Sequence, residues 1–156
     1  WFQLTRSTAP AAAMYSGSRR IHTAGRILSQ YNGGAQTRRT HNNLWWDEDV
    51  RESHPRDAEA YGVGDANWVS LASRKGEITL RAKLSDRMAP GVVYTTFHHP
   101  DTGANVVTTE NADWATDCPE YKVTAVNVMP ANHKSDWQQN YEDELSGYRE
   151  IASPAE

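Results

Sequence analysis

Thr23-Ala24-Gly25-Arg26 and, two aliphatic residues later, Ser29-Gln30-Tyr31-Asn32-Gly33-Gly34-Ala35-Gln36-Thr37-Arg38-Arg39 gather glycines, hydroxyls, amides and guanidinium groups into one short stretch with almost no aliphatic periodicity. Glycine lets a backbone approach a ligand closely. Exposed backbone N–H groups, hydroxyls and guanidinium forks are what hold a polyphosphate. Gly25, Arg26, Gln30, Tyr31, Gln36, Thr37, Arg38 and Arg39 are therefore candidates for that chemistry. Taken alone, the same stretch also reads as a flexible surface loop with solvated arginines.

The elements that must position this stretch are short. His54-Pro55-Arg56-Asp57-Ala58-Glu59-Ala60-Tyr61-Gly62 reads as a helix near 55–61, with Ser53 or His54 as cap, Pro55 in the first turn and Gly62 as stop. Trp68 to Ala72 reads as a strand, Arg74-Lys75-Gly76 as a turn, and Ile78, Leu80, Ala82 and Leu84 alternate with Glu77, Thr79, Arg81 and Lys83 as a half-buried strand. Val92 to Phe97 and Tyr121 to Met129 read as two more strands. Short strands joined by tight turns argue for a barrel rather than a parallel α/β sheet. Ser135-Asp136-Trp137-Gln138 has capping-box spacing, and Trp137, Tyr141, Leu145 and Tyr148 recur at helical spacing, so a second helix is expected near 136–150, its stripe covering the barrel or a neighbouring domain. The expected division is a poorly patterned segment 1–22, a barrel 23–130 and a helical tail 131–156.

Composition narrows the classes. The chain has 156 residues and a formal net charge of −4, enough for one domain and against a general affinity for nucleic acid. No apolar run reaches membrane-spanning length, and the start lacks a signal-peptide pattern. The single cysteine, Cys118, excludes an internal disulfide and a cysteine-ligated cluster within this chain, which fits a cytoplasmic setting. Cys118 reads as a small, partly buried thiol, and the six histidines show no zinc-like spacing.

Four stretches together resemble the C-terminal molybdopterin-dinucleotide-binding domain of the formate dehydrogenase large-subunit family, over roughly Thr23 to Met129. They are Ala24-Gly25-Arg26-Ile27-Leu28-Ser29-Gln30-Tyr31-Asn32 with Gln36-Thr37-Arg38-Arg39; His54-Pro55-Arg56-Asp57-Ala58 through Gly62-Val63-Gly64-Asp65 to Trp68-Val69; Ser73-Arg74-Lys75-Gly76 with Arg81-Ala82-Lys83 and Pro90-Gly91-Val92-Val93; and Phe97-His98-His99 with Ala104-Asn105-Val106-Val107-Thr108 and Pro119-Glu120-Tyr121-Lys122. The Trp137 tail is similar to the large subunit of soluble NAD-dependent members. An apolar strand usually precedes Gly-Arg in the family, whereas Gly17-Ser18-Arg19-Arg20-Ile21-His22 is polar.

The resemblance implies a mainly β fold, a double-psi β-barrel with the two helices above. It implies a cofactor of molybdopterin guanine dinucleotide, with molybdenum or tungsten held by the parent enzyme. The partners implied are the remainder of the large subunit and its electron-transfer subunits, with no nucleic acid and no membrane span. Arg26, Arg38 and Arg39 would meet phosphates. Asn105 would donate to and accept from a pterin edge, and Tyr121 and Lys122 would close over pterin or phosphate. His98 with His99 could touch pterin or pack at a strand end, and Lys122 also reads as a solvated strand-edge lysine. No catalytic residue or metal ligand of the family has a counterpart here, so the piece would bind without catalysing formate oxidation. The same domain of a nitrate reductase, or a stand-alone interaction barrel, are the alternatives.

Overall fold

A computed structural model of the chain describes residues 19–46, 48–118, 120 and 122–152, the side chains of 148–152 excepted. Residues 1–18 of the expected segment 1–22, Pro119, Tyr121 and the Tyr148 side chain lie outside the described residues. The fold is mainly β. Six strands, β1 (Arg20–Ala24), β2 (Val50–Ser53), β3 (Trp68–Ala72), β4 (Glu77–Leu84), β5 (Val92–Thr95) and β6 (Thr124–Pro130), close into a barrel in the order β1-β5-β2-β4-β3-β6. The pairs β1/β5 and β2/β4 are parallel and the other four antiparallel, as in a double-psi barrel. Helix α1 (Pro55–Tyr61) follows β2, and helix α2 (Asp136–Ala152) follows β6.

Local chemistry explains the elements that the sequence marks. In β4, Ile78, Leu80 and Ala82 enter a core with Val69, Leu71, Val93, Val107, Val126 and Val128. Helix α1 starts where the His54 Nδ1 accepts the Arg56 N–H, has Pro55 in its first turn, and stops at Gly62, whose φ of 68° is left-handed. Helix α2 carries the expected capping box: the Gln138 N–H donates to the Ser135 hydroxyl, and the Gln138 Oε1 accepts from the Ser135 N–H. Gln138 does more. Its amide accepts from the Thr79 N–H at 2.8 Å and donates to the Thr79 carbonyl at 2.9 Å. Pairing of β2 with β4 begins only at Val50–Arg81, so on that side Thr79 has no strand beside it, and the Gln138 side chain takes the strand's place. Thr79, expected on a solvated face, is therefore buried under α2.

Two strands carry the reverse of the usual pattern. β1 opens at Arg20 inside the polar stretch, and β2 is Val-Arg-Glu-Ser, buried throughout. The sequence reading places no strand at either. Two of their polar side chains find tertiary partners: the His22 Nε2 lies 2.8 Å from the Thr95 hydroxyl, and Glu52 meets Arg87 at 2.5 Å. Arg51 is fully buried; its guanidinium lies 5.9 Å from the Tyr61 ring centre and has no hydrogen-bond partner. Burial lowers its pKa to about 10. The strand expected over 92–97 ends at Thr95, because Thr96 turns its hydroxyl to Asp49. The last strand begins at Thr124 rather than Tyr121.

Burial also lowers the His22 pKa from 6.5 to about 4. The unfolded chain takes up this proton near pH 6.5 and the folded chain only near 4. Stability is thus complete above pH 6.5 and falls as the pH drops towards 4, by up to about 3 kcal/mol. Urea unfolding of wild type and His22→Gln at pH 7.0, 5.5 and 4.5 should show a falling midpoint for wild type and a flatter profile for the variant. Parallel profiles would refute it.

Candidate functional site

Parallel pairing of β1 with β5 sets Ala24 opposite Thr95, so both strands end at the same rim of the barrel. The chain leaves each one into a long crossover, and the two crossovers run side by side. The Gly25 N–H donates to the Thr95 carbonyl and the Gly33 N–H to the Phe97 carbonyl, each at 3.0 Å. A Cβ at Gly25 would stand 2.6 Å from the Tyr94 ring, so a larger residue just after β1 would have to displace that ring. Lys122, just ahead of β6, reaches across and donates from Nζ to the Ala24 carbonyl at 2.5 Å.

A buried carboxylate fixes the second crossover. Asp49 accepts the Thr96 hydroxyl at 2.6 Å, the His98 N–H at 3.0 Å and the His99 N–H at 2.9 Å, and its Oδ1 lies 2.6 Å from the His98 Nδ1. Burial alone would push the Asp49 carboxyl up. The hydrogen bonds and charge of His98, with those from Thr96 and the His99 backbone, outweigh it and hold the group below its ordinary value. Burial likewise pushes the His99 imidazole down, against the pull of Asp49. Asp49 lies in the short acidic run Asp47-Glu48-Asp49, outside every stretch that the sequence analysis singled out.

Two neighbouring clefts open on this rim. One, of about 340 Å³, is lined by Arg26, Leu28, Ser29, Gln30, Tyr31, Thr37 and Asn42. The other, of about 500 Å³, is bounded by Ala24, Asn32 and Gly33 from the first crossover, Phe97, His99 and Asn105 from the second, and Trp137 from α2. Gln30 of the smaller cleft and His99 of the larger each carry a buried polar atom without a partner, the Gln30 Oε1 and the His99 Nε2, and Arg38, which lines neither cleft but lies near His99, has an unpartnered Nε. Cradles of this kind, with unspent donors and acceptors and a guanidinium, fit a phosphorylated heterocycle.

The expected residues divide by position. Arg26, Gln30, Tyr31 and Thr37 line the smaller cleft, and Asn105 the larger. Arg38 sits beside His99, whose pKa its charge lowers. Gln30 is mostly occupied inside the chain, donating to the Asn43 Oδ1 and the Trp46 carbonyl. Thr37 accepts the Tyr31 N–H. Gln36 and Arg39 are exposed and line neither cleft, and neither does His98, which is buried against Asp49. Tyr121 lies outside the described residues. His99 and Trp137 emerge as wall residues; the sequence offered His99 only as a ligand or packing residue and Trp137 only as part of a packing stripe. Among the described residues, no three His, Cys, Asp or Glu side chains cluster to hold a metal ion.

Comparison with known proteins places the chain. The family model described as the molydopterin dinucleotide binding domain matches residues 21–125. The F420-dependent formate dehydrogenase 1 subunit alpha of Methanococcus maripaludis is 38% identical over 107 residues, which cover 68% of this chain and 16% of that protein. The assimilatory nitrate reductase catalytic subunit of Bacillus subtilis is 34% identical over 110 residues, covering 69% of this chain and 16% of that protein. The chain thus spans about a sixth of the length of these relatives. In structure, acetylene hydratase from Pelobacter acetylenicus matches with a TM-score of 0.61 at 16% identity, over 72% of this chain and 18% of that one. NAD finds no support here: the formate dehydrogenase relative is F420-dependent by name.

Asp49→Asn should unfasten the second crossover. The amide keeps one acceptor oxygen for several donors, and the expected loss is about 2–3 kcal/mol in urea unfolding, with faster amide exchange at residues 96–99. A stability change under about 0.5 kcal/mol would show that the carboxylate does not organise the loop.

Proposed function

Because the chain belongs to the molydopterin dinucleotide binding domain family, we propose that it is the cofactor-binding domain of a formate dehydrogenase large subunit, whose intact enzyme oxidises formate to carbon dioxide. Its cofactor, a molybdopterin guanine dinucleotide, follows from the family. The observation that carries the binding role is the pair of clefts on one barrel rim, walled by both crossovers and each lined by a residue with an unspent buried polar atom.

Arg26 and Arg38 supply guanidinium forks to pyrophosphate oxygens, with Gly25, Gln30, Tyr31, Gln36, Thr37 and Arg39 along the same crossover. Asn105, on the larger cleft, donates to and accepts from a heterocycle edge. His98 is itself anchored by Asp49, through its backbone N–H and its Nδ1, and Lys122 ties Ala24 in place with Tyr121 beside it in sequence. When bound, the cofactor supplies the metal-centred redox chemistry, and this domain contributes binding, orientation and electrostatics. The barrel, which opens at Arg20 rather than at the expected residue 23 and runs to Pro130, is the binding unit, and 131–156 is an appended tail.

Leu28 and Tyr31 of the smaller cleft stand exposed, as do Leu44 and Trp45 farther along the same crossover. Such apolar exposure suits docking against the remainder of the large subunit, in a cytoplasmic enzyme with separate electron-transfer subunits. Among the described residues, no helix is long and apolar enough to cross a membrane. The B. subtilis relative favours a second reading, the same domain in a nitrate reductase.

Mass spectrometry of nucleotide released from the intact enzyme, with formate- and nitrate-dependent dye assays, tests the reading. Guanine nucleotide with formate activity is expected. Nitrate activity alone moves the domain to the second reading, and absence of the nucleotide overturns the binding role. Arg26→Ala with Arg38→Ala should lower cofactor content tenfold or more where loading is not saturating, since each charge-assisted contact is worth about 1.5–3 kcal/mol. Unchanged content in that double variant would make these arginines surface groups.

A further inference from the structure

The larger cleft has a wall that the family match does not include. Trp137 lies beyond residue 125, where that match ends, yet its ring lines the cleft alongside Asn105, Phe97 and His99. Three features hold the ring still. Tyr141, one turn on, stacks with it at 5.3 Å between centres and 11° between planes. Gly103, left-handed at φ 66°, brings its Cα directly under the ring: a Cβ there would collide with Trp137. Gln138, the next residue, is pinned by both its amide atoms to Thr79 of β4, so α2 cannot slide. A tryptophan held this firmly in the lining of a mostly apolar cleft is a preorganised aromatic wall.

The rest of the lining says what such a wall would face. Ala24, Phe97, Ala104 and Val106 are apolar, whereas Asn32 and Asn105 offer amides and His99 has a buried Nε2 without a partner. Flat apolar surface with donors and acceptors at the edge suits a fused heterocycle carrying a 2-amino-4-oxopyrimidine edge, which guanine and pterin share.

We propose that Trp137 is a binding residue of this domain, the wall against which the cofactor's 2-amino-4-oxopyrimidine heterocycle packs, supplied by a helix outside the family's common span. This rests on the cofactor-binding reading above and deepens it.

The intact enzyme and the 156-residue chain together test it. In the intact enzyme, Trp137→Leu, which keeps apolar packing on Gly103 but removes the flat ring, should hold at least threefold less cofactor by released nucleotide, whereas Trp137→Phe should stay within about twofold of wild type. In the wild-type chain, GMP or free pterin should shift the Trp137 indole N–H resonance, and AMP, lacking that edge, should not. A shift with GMP alone assigns the guanine end, and one with pterin alone the pterin end. The resonance measurement needs no variant, so it decides even if Trp137→Leu loosens α2. Full cofactor in both variants, or an indole resonance unmoved at saturating GMP and pterin, overturns the wall assignment while leaving the binding reading intact. A wild-type enzyme without guanine nucleotide overturns both.

Discussion

Parallel pairing of β1 with β5 is the constraint from which the rest of the molecule follows. The chain runs on from β1 to β2 and from β5 to β6, and in neither case is the next strand a neighbour in the barrel, so each strand leaves the sheet through a long crossover. Because both end at the same rim, the two crossovers are forced into contact above the barrel. The irregular backbone of the described residues of the two crossovers is the direct cost of that topology, and it supplies the glycines, short 3₁₀ turns and unpaired polar groups that a ligand site needs. The side-chain contacts that shape the rim then work as fasteners: Asp49 under the second crossover, Lys122 across to the first, Gln138 holding α2 against β4.

The interior is unusually polar for so small a barrel. His22, Arg51 and Thr95 sit among valines and leucines, fully buried. Desolvation dominates both titratable groups, keeping His22 neutral and lowering Arg51 without discharging it at neutral pH. The Tyr61 ring and the charge of Asp57 offset part of the cost for Arg51. Tyr61 is shared, since the Arg20 guanidinium lies 5.0 Å from the same ring and also pairs with Asp57. One aromatic ring and one carboxylate on α1 therefore serve two cations, one from each of the strands that sequence pattern alone does not reveal.

What could be read from the chain depended on whether a residue's partner was local. β3, β4, α1 and α2 announce themselves through alternation, capping and stop signals, all within a few residues. β1 and β2 do not, because what buries Glu52 or His22 is an arginine or threonine dozens of residues away. The site divides the same way. The residue types of the first crossover point to phosphate chemistry, yet nothing local says that Gln30 is largely engaged by Asn43 and Trp46, or that Arg39 lines neither cleft. Asp49 hides in an acidic run, and Trp137 looks like any stripe aromatic until the fold brings it beside Gly103.

Closure of the barrel depends on β6 reaching back to β1, and the Lys122 bond to the Ala24 carbonyl spans 98 positions of chain. During synthesis, β1 and β3 therefore wait with open hydrogen-bonding edges until nearly the whole domain has emerged from the ribosome. Contacts so distant in sequence also make for slow closure. The rim that carries the clefts is consequently an all-or-none product of translation, and a chain cut short before β6 is a sticky intermediate for chaperones rather than a weaker version of the domain.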